Sequence, residues 1–447
     1  MNENTTTEQE SLSIISENSK AFNGAFNFLS GMSLANWIAL ITSASLILVV
    51  MVKIIIKWHK AAKTTKFVYK KTENNKKLHS ILLKKLPVFN PTFYIPFTLW
   101  KLGLSLIRSS FYFKYYYQQI FEYSDGGRVS LDFYPKTIDL TKRKKSKTEK
   151  SPQSSQRKES KESTIIVLIP GILNDSKDRL IYKASQTLHK KTGLTVMILN
   201  KRAFNDLPIT GTRPFVFTHM PDYDEVFDYL RNELSYQKII LVGMSLGAFV
   251  TQYYLCTKAM LGEDASFIHS AVGISSPFDL MSCSAKLDTN ILIQQGLLID
   301  FKLRLRACRK YVKFNEFLEA KGIKFSDLMA MRSVKDIDTF FNAKANDCKD
   351  RWEFYSRHTR VEYIGKVEAP CLFVNSESDP LVDFGLVNEI THSVVQQDGK
   401  DASRDGDNLL FVTVGNGGHV SYPNGVFCEN WAVDCAVEFL KIQLAEN

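Results

Sequence analysis

Cysteine is scarce in this chain and poorly arranged for structural use. There are seven in 447 residues. The number is odd and no two form a C-x-x-C pair, which excludes a disulfide-stapled secreted scaffold and a zinc ribbon. Cys371 sits inside an apolar run and reads as a buried thiol. There is no H-E-x-x-H and no histidine pair at ligand spacing, so neither a metal nor another cofactor is called for. A basic face of the kind that holds nucleic acid is also missing. The net charge is +10, but it is concentrated in two short segments: residues 53–72 carry +7, all lysine, and 141–162 carry +6. Residues 1–36 carry −3, and the remainder of the chain is neutral. A nucleic-acid partner is therefore not expected. With 45% apolar and 23% charged residues, a disordered chain is excluded as well.

Long apolar runs are rare too, and one stands out. Leu34 to Ile56 spans 23 residues with a single charge, Lys53. As a helix it would be about 34 Å long, against a hydrocarbon core of about 30 Å. Trp37 and Trp58 flank it at interfacial positions. It starts too late and runs too long for a cleaved signal peptide. The expectation is a transmembrane helix after an N-terminal tail at 1–33. Lys53, Lys57, Lys60, Lys63, Lys66, Lys70 and Lys71 follow without an acid, so the positive-inside rule puts the remaining body in the cytoplasm. The sequon Asn174-Asp175-Ser176 lies where a crowded loop is needed below, which agrees with a body kept from glycosylation. The localisation expected is a single-pass protein of the endomembranes, the endoplasmic reticulum by preference.

Residues 57–123 form a basic and aromatic juxtamembrane segment. Its aromatics, from Phe89 to Trp100 and from Phe111 to Tyr117, either dock the body on the bilayer or pack on the domain. From Ser124 the pattern changes to strands alternating with helices. Arg128–Tyr134 alternates as a strand. Thr164–Pro170, Leu194–Asn200, Lys238–Gly243, Phe267–Ile274, Cys371–Asn375 and Leu409–Val414 are continuous apolar strands. Helical segments lie between them at Leu180–His189, Asp224–Leu234, Leu246–Lys258, Leu386–Val394 and Glu429–Leu440. This pattern predicts an α/β class with a mostly parallel sheet covered on both faces. The core would run over 124–277 and 366–447. A Lys/Ser-rich stretch at 141–162 has nothing to bury and reads as a disordered insertion. Residues 278–365 break the rhythm and read as a helical cap.

One motif carries chemistry. Gly243-Met244-Ser245-Leu246-Gly247 follows the strand KIILV and precedes a helical run. This is G-x-S-x-G in the strand–turn–helix setting that gives it meaning. A serine nucleophile needs a base and an orienting acid, in the chain order Ser, acid, His. Beyond Ser245 the histidines are His269 in an apolar strand, His358 in the charged stretch SRHTRVE, read as surface, His392 on a helix face, and His419. Only His419 follows a strand on a glycine-rich loop, Val414-Gly415-Asn416-Gly417-Gly418-His419. The acid expected is Asp379 in the turn after Cys371–Asn375, with Glu377 and Asp383 as nearby rivals. By analogy with such sites, the oxyanion donors are the backbone amides of Leu246 and Ile172.

These residues carry a family resemblance from about Asn90 to Leu440. The chain resembles the membrane-anchored α/β-hydrolase-domain branch: YheT-like bacterial hydrolases, yeast medium-chain fatty acid ethyl ester synthase/esterases and mammalian medium-chain phospholipases. The shared features are Asn90-Pro91-Thr92, Ser124-Asp125-Gly126-Gly127-Arg128-Val129-Ser130-Leu131-Asp132-Phe133, Asn200-Lys201-Arg202-Ala203, Thr212-Arg213-Pro214 with Asp222 or Asp224, Ser333 to Asp338, Asn375 to Pro380 and Gly417-Gly418-His419. The resemblance implies an α/β-hydrolase fold with a helical cap and an N-terminal transmembrane helix, and a catalytic triad of Ser245, Asp379 and His419. It implies hydrolysis of a fatty acyl lipid ester at a membrane through an acyl-enzyme. An acyltransferase using an alcohol to intercept that intermediate is the alternative, and an inactive membrane scaffold is a second. The chain departs from the family where Pro170-Gly171 replaces H-G, where Asn174-Asp175-Ser176 stands in place of Gly-Gly, and at Ala203. Nothing in the sequence fixes an oligomeric state.

Overall fold

The computed structural model describes residues 33–62, 65–92, 114–138, 140, 163–396 and 405–445. The tail at 1–32, the 141–162 insertion and most of the aromatic stretch lie outside the described residues. The chain divides into two compact units, Met1–Trp58 and His59–Asn447.

Leu34–Ala62 forms one helix, α1, of 29 residues. Among the described residues, no helix is long and apolar enough to cross a membrane. The transmembrane span expected over 34–56 is therefore not borne out. The helix does not stop where the apolar run stops. It continues through Lys57, His59 and Lys60, so apolar and cationic residues share one rod of about 44 Å. Leu34, Ile38, Ile41, Leu46 and Ile56 on it are exposed.

The second unit is built on a nine-stranded sheet among the described residues. In chain order its elements are β1 (Thr65–Tyr69), α2 (Glu73–Lys85), β2 (Tyr117–Glu122), β3 (Arg128–Tyr134), β4 (Thr164–Ile169), α3 (Arg179–Thr192), β5 (Thr195–Leu199), α4 (Met220–Asp228), β6 (Lys238–Met244), α5 (Leu246–Leu261) and β7 (Ile268–Ile274). Cap helices α6 (Leu280–Asp288), α7 (Ile291–Cys308), α8 (Val312–Ala320) and α9 (Arg351–His358) follow, with shorter helical turns among them. Then come β8 (Cys371–Ser376), α10 (Phe384–Gln396), β9 (Leu409–Val414) and α11 (Trp431–Ala445).

The spatial order is β1-β9-β8-β7-β6-β4-β5-β3-β2. Six central strands, β5 to β9 and β4, pair in parallel, and antiparallel strands close both edges. Alternate residues of one strand feed opposite layers. Ile165, Val167 and Ile169 of β4 pack in the layer with α4, α5 and α10. Ile166 and Leu168 pack in the layer with α3 and α11. A strand buried on both faces has no polar side to display, which is why these segments read as unbroken apolar runs. α3 is stopped by Gly193 at φ 79°, a left-handed cap that glycine adopts without cost.

The sheet reaches further back than the boundary expected at Ser124. β1 pairs with β9 from Thr65↔Val414 to Tyr69↔Leu410, and β2 pairs with β3. The 57–123 segment thus supplies both edge strands rather than only a juxtamembrane connection. Phe89 is fully buried against Trp431, whose indole N–H donates to the Pro87 carbonyl at 2.6 Å. Asn90 and Thr92 clasp the 423–425 turn: the Asn90 amide donates to Asn424 Oδ1 and the Thr92 amide to the Pro423 carbonyl.

Between β7 and β8 the cap builds its own core from Leu298, Leu305, Phe314, Phe317 and Phe341. This core closes over Ile209 and Val216 of the loop between β5 and α4. That loop is anchored by a buried ionic knot. Arg202 donates from Nε and Nη2 to the two oxygens of Asp222 at 2.6 and 2.8 Å, and from Nη1 to Asp125 at 2.8 Å. Its guanidinium lies 3.9 Å from the centre of the Tyr123 ring. Burial alone would raise the Asp125 carboxyl. Hydrogen bonds from Arg202, the Gly127 amide and Thr212 outweigh it and hold the group at about 2. A depressed carboxyl contributes stability above its ordinary value of 3.8 and loses it as pH falls from there toward about 2. Asp125→Asn should accordingly lower the melting temperature at neutral pH, and its deficit against wild type should shrink across that acid window in a pH series of thermal melts.

Candidate active site

Backbone is crowded against backbone at the turn after β6. Ser245 has φ 55° and ψ −119°, a conformation that costs a non-glycine residue about 1–3 kcal/mol unless its surroundings impose it. They do so here. The Ser245 amide donates to the Ile274 carbonyl of β7 at 2.9 Å, while its carbonyl accepts from the amides of Ala248 and Phe249 and starts α5. A Cβ on Gly247 would lie 1.9 Å from the Ile169 carbonyl of β4, and one on Gly243 would lie 2.3 Å from the Gly247 carbonyl. The glycines of G-x-S-x-G are thus required for close approach of backbone to backbone.

His419 sits on the loop after β9. Ser376 Oγ accepts from the Gly417 amide at 2.8 Å, and the Val420 amide donates to Ser275 Oγ at 3.0 Å, so the loop is pinned to the ends of β8 and β7. The ring reaches Ser245 Oγ through Nε2 at 2.7 Å. Nδ1 faces both oxygens of Asp379 at 3.0 and 2.9 Å. An ionised carboxylate only accepts, so Nδ1 carries the proton and Nε2 is left to accept from the serine hydroxyl. Asp379 is buried, and its Oδ1 also accepts from the Leu381 and Val382 amides at 2.8 and 3.1 Å. The rivals are engaged elsewhere: Glu377 is exposed and accepts from Lys66, and Asp383 accepts from the Gly385 amide.

Of the remaining histidines, His269 is half-buried on β7, where burial lowers its pKa, and His392 is exposed on α10. His358, read as a surface residue, is buried instead. Its Nδ1 bonds the Phe354 carbonyl at 2.7 Å, and burial takes its pKa down to about 4. The charged neighbours misled because Arg357, beside it on α9, is exposed while His358 turns inward. Cys371 is a buried thiol with its pKa pushed up to about 12.

Ile172 and Leu246 line the same cavity as Ser245 and His419. Among the described residues neither amide donates to a protein acceptor. Gly171 passes so close that a Cβ there would lie 3.2 Å from Ser245 Cβ. Away from the serine the cavity is walled by Phe204, Phe215, Phe217, Leu280, Leu287, Leu297, Phe301 and Ile337, drawn from the core loop and the cap. Among the described residues no group of three His, Cys, Asp or Glu could hold a metal ion.

Sequence reasoning missed the polar knot beneath the 171–178 loop. Asp132 is fully buried on β3. Ser130 and Ser176 donate to it, as do Asn200 and Asn205 at 2.8 and 2.9 Å. Burial pushes its carboxyl up against these bonds. The signal available was a carboxylate between two large apolar residues, Leu131 and Phe133, of β3.

A Ser–His–carboxylate constellation at the ends of parallel strands, roofed by a cap, defines a class of serine hydrolase scaffold. The family model for the alpha/beta hydrolase fold matches residues 164–423, and the chain belongs to that family. Curated relatives are distant. The Drosophila melanogaster "Abhydrolase domain-containing protein 2" is 21% identical over 59% of this chain and 64% of its own length. The human "Monoacylglycerol lipase ABHD2" is 21% identical over 58% of this chain and 60% of its own. The yeast "Medium-chain fatty acid ethyl ester synthase/esterase 2" is 20% identical over 73% and 78%. The chain thus spans less than two thirds of the fly and human proteins.

The crowding at this turn leaves no room for a methyl group on Gly247. Gly247→Ala should destabilise the fold by about 1–3 kcal/mol in urea titrations. It should also cut fluorophosphonate reactivity at Ser245 by about 100-fold, because the turn must open to admit the methyl group.

Proposed function

We propose that this chain is a serine hydrolase that cleaves carboxylic esters of fatty acyl lipids, a phospholipid or an acylglycerol, of medium chain length by preference. The observation that carries this reading is the 2.7 Å contact between Ser245 Oγ and His419 Nε2, with Asp379 on the other ring nitrogen and an apolar cavity in front. His419 takes the proton of Ser245 as the hydroxyl attacks the ester carbonyl. The amides of Leu246 and Ile172 receive the oxyanion, each worth about 2.7–4 kcal/mol of barrier. Asp379 fixes the tautomer and stabilises the imidazolium. His419 then protonates the departing alcohol, and a water activated by the same ring releases the acid.

The acyl chain would lie among Phe204, Phe215 and Phe301. A lipid substrate is supported by this apolar wall and by the names of the human and yeast relatives. The working site is at a membrane surface. The exposed apolar side chains of α1 support lipid contact, and the lysines from Lys53 to Lys71 support attachment to the anionic cytoplasmic face of an endomembrane such as the endoplasmic reticulum. Transfer of the acyl group to an alcohol instead of water is the second reading, and the yeast relative's name favours it. Adding ethanol to the hydrolysis assay separates the two readings by the ratio of ethyl ester to free acid.

Detergent-solubilised wild type should label with a fluorophosphonate and hydrolyse medium-chain glycerolipids. Ser245→Ala should lose both, and Asp379→Asn should lower kcat by about 10⁴. Folded wild type that neither labels nor hydrolyses would contradict the hydrolase and transferase readings together and leave a membrane scaffold.

A further inference from the structure

The loop that carries the Ile172 amide is gripped by two cations the triad does not use. Lys201 follows Asn200 just past the end of β5. Its Nζ donates to the Gly171 carbonyl at 2.6 Å and to the Asn174 carbonyl at 2.7 Å. Arg304 of α7 donates from Nη2 to the Leu173 carbonyl at 3.0 Å. Both cations rest on one ring: Lys201 Nζ is 4.3 Å and the Arg304 guanidinium 4.5 Å from the centre of Phe204. Three of the four carbonyls from Gly171 to Asn174 thus point at positive charge, one of them held from the cap.

The Gly171 contact has a specific chemical consequence. The Gly171 carbonyl and the Ile172 N–H are the two ends of one planar peptide group. An ammonium on the oxygen fixes the plane, and so the direction of the N–H. It also draws electron density from nitrogen toward oxygen, which makes the N–H a stronger donor. Charge-assisted bonds of this kind are about twice as strong as neutral ones. A loop held before substrate arrives need not reorganise when the oxyanion forms.

We infer that Lys201 is a positioning residue for the oxyanion site: its ammonium orients and polarises the Gly171–Ile172 peptide, with Arg304 securing the Leu173 carbonyl from the cap. This rests on the ester-hydrolase reading above, with Ile172 as a donor. Lys201 touches the loop rather than the reacting atoms, so its effect is on the transition state and not on substrate binding.

The test uses the full chain in detergent with p-nitrophenyl octanoate, and octyl trifluoromethyl ketone as the probe that forms a tetrahedral adduct on Ser245. Lys201→Met should lower kcat by about 30–100-fold, somewhat less than removal of an oxyanion donor itself, with KM within twofold. Affinity for the ketone should fall by the same factor as kcat/KM, and Lys201→Arg should recover most of both. Should Lys201→Met not melt as a folded protein, Lys201→Gln, which keeps a donor without the charge, is held to the same criteria. Wild-type kcat and ketone affinity in a folded charge-removing variant would overturn the inference while leaving the hydrolase reading intact. So would a change confined to KM. Wild type that neither hydrolyses the ester nor labels at Ser245 would overturn both.

Discussion

Backbone crowding at one turn governs the arrangement of the whole site. β4, β6 and β7 run parallel as neighbours, and the chain must leave β6 and enter α5 within a single residue. Gly247 passes against the Ile169 carbonyl and Gly243 against Gly247, so Ser245 is driven to positive φ. Its side chain is thereby thrust off the end of the sheet instead of into a core layer. The strain is local, and the two layers of apolar side chains packed against these strands maintain it.

The partners of the serine arrive by the same logic. In a parallel sheet every strand ends at the same edge, so the turns after β4, β6, β8 and β9 converge. They deliver Ile172, Ser245, Asp379 and His419. Short hydroxyl side chains fix the remaining loops. Ser376 and Ser275 hold the amides of Gly417 and Val420, and Asp379 is held by two amides of its own turn. The 171–174 loop has no such strand-end serine. It is held by Lys201 and Arg304, and Ser176 just beyond it is held by Asp132. The cap therefore both walls the cavity with Leu287, Leu297 and Phe301 and touches the loop through Arg304.

The central fold was legible because a strand buried on both faces must be apolar throughout, and the segments from Thr164 to Val414 obey that rule. Ser245, Asp379 and His419 were legible because a nucleophile turn needs glycines and its partners must end later strands. β1 was not. Its five residues, TKFVY, sit in a lysine run and, among the described residues, pair with β9, some 345 residues away; no local pattern reveals such a partner. His358 misled because burial is decided by the face of a helix, while its sequence neighbours are charged. The apolar stretch 34–56 read as a span, and among the described residues no helix is long and apolar enough to be one; the helix formed there extends to Ala62. Lys201 and Arg304 were invisible as a pair, because what they share is a set of backbone carbonyls.

The central claim is that Ser245 becomes transiently acylated. The most direct measurement is rapid acid quench of the wild-type chain during turnover of a medium-chain p-nitrophenyl ester, followed by peptide mass spectrometry. The account predicts one added acyl group on the peptide containing Ser245, absent after Ser245→Ala and decaying with the rate of acid release. Turnover with no acyl group on that peptide, or with the group on another side chain, would contradict it.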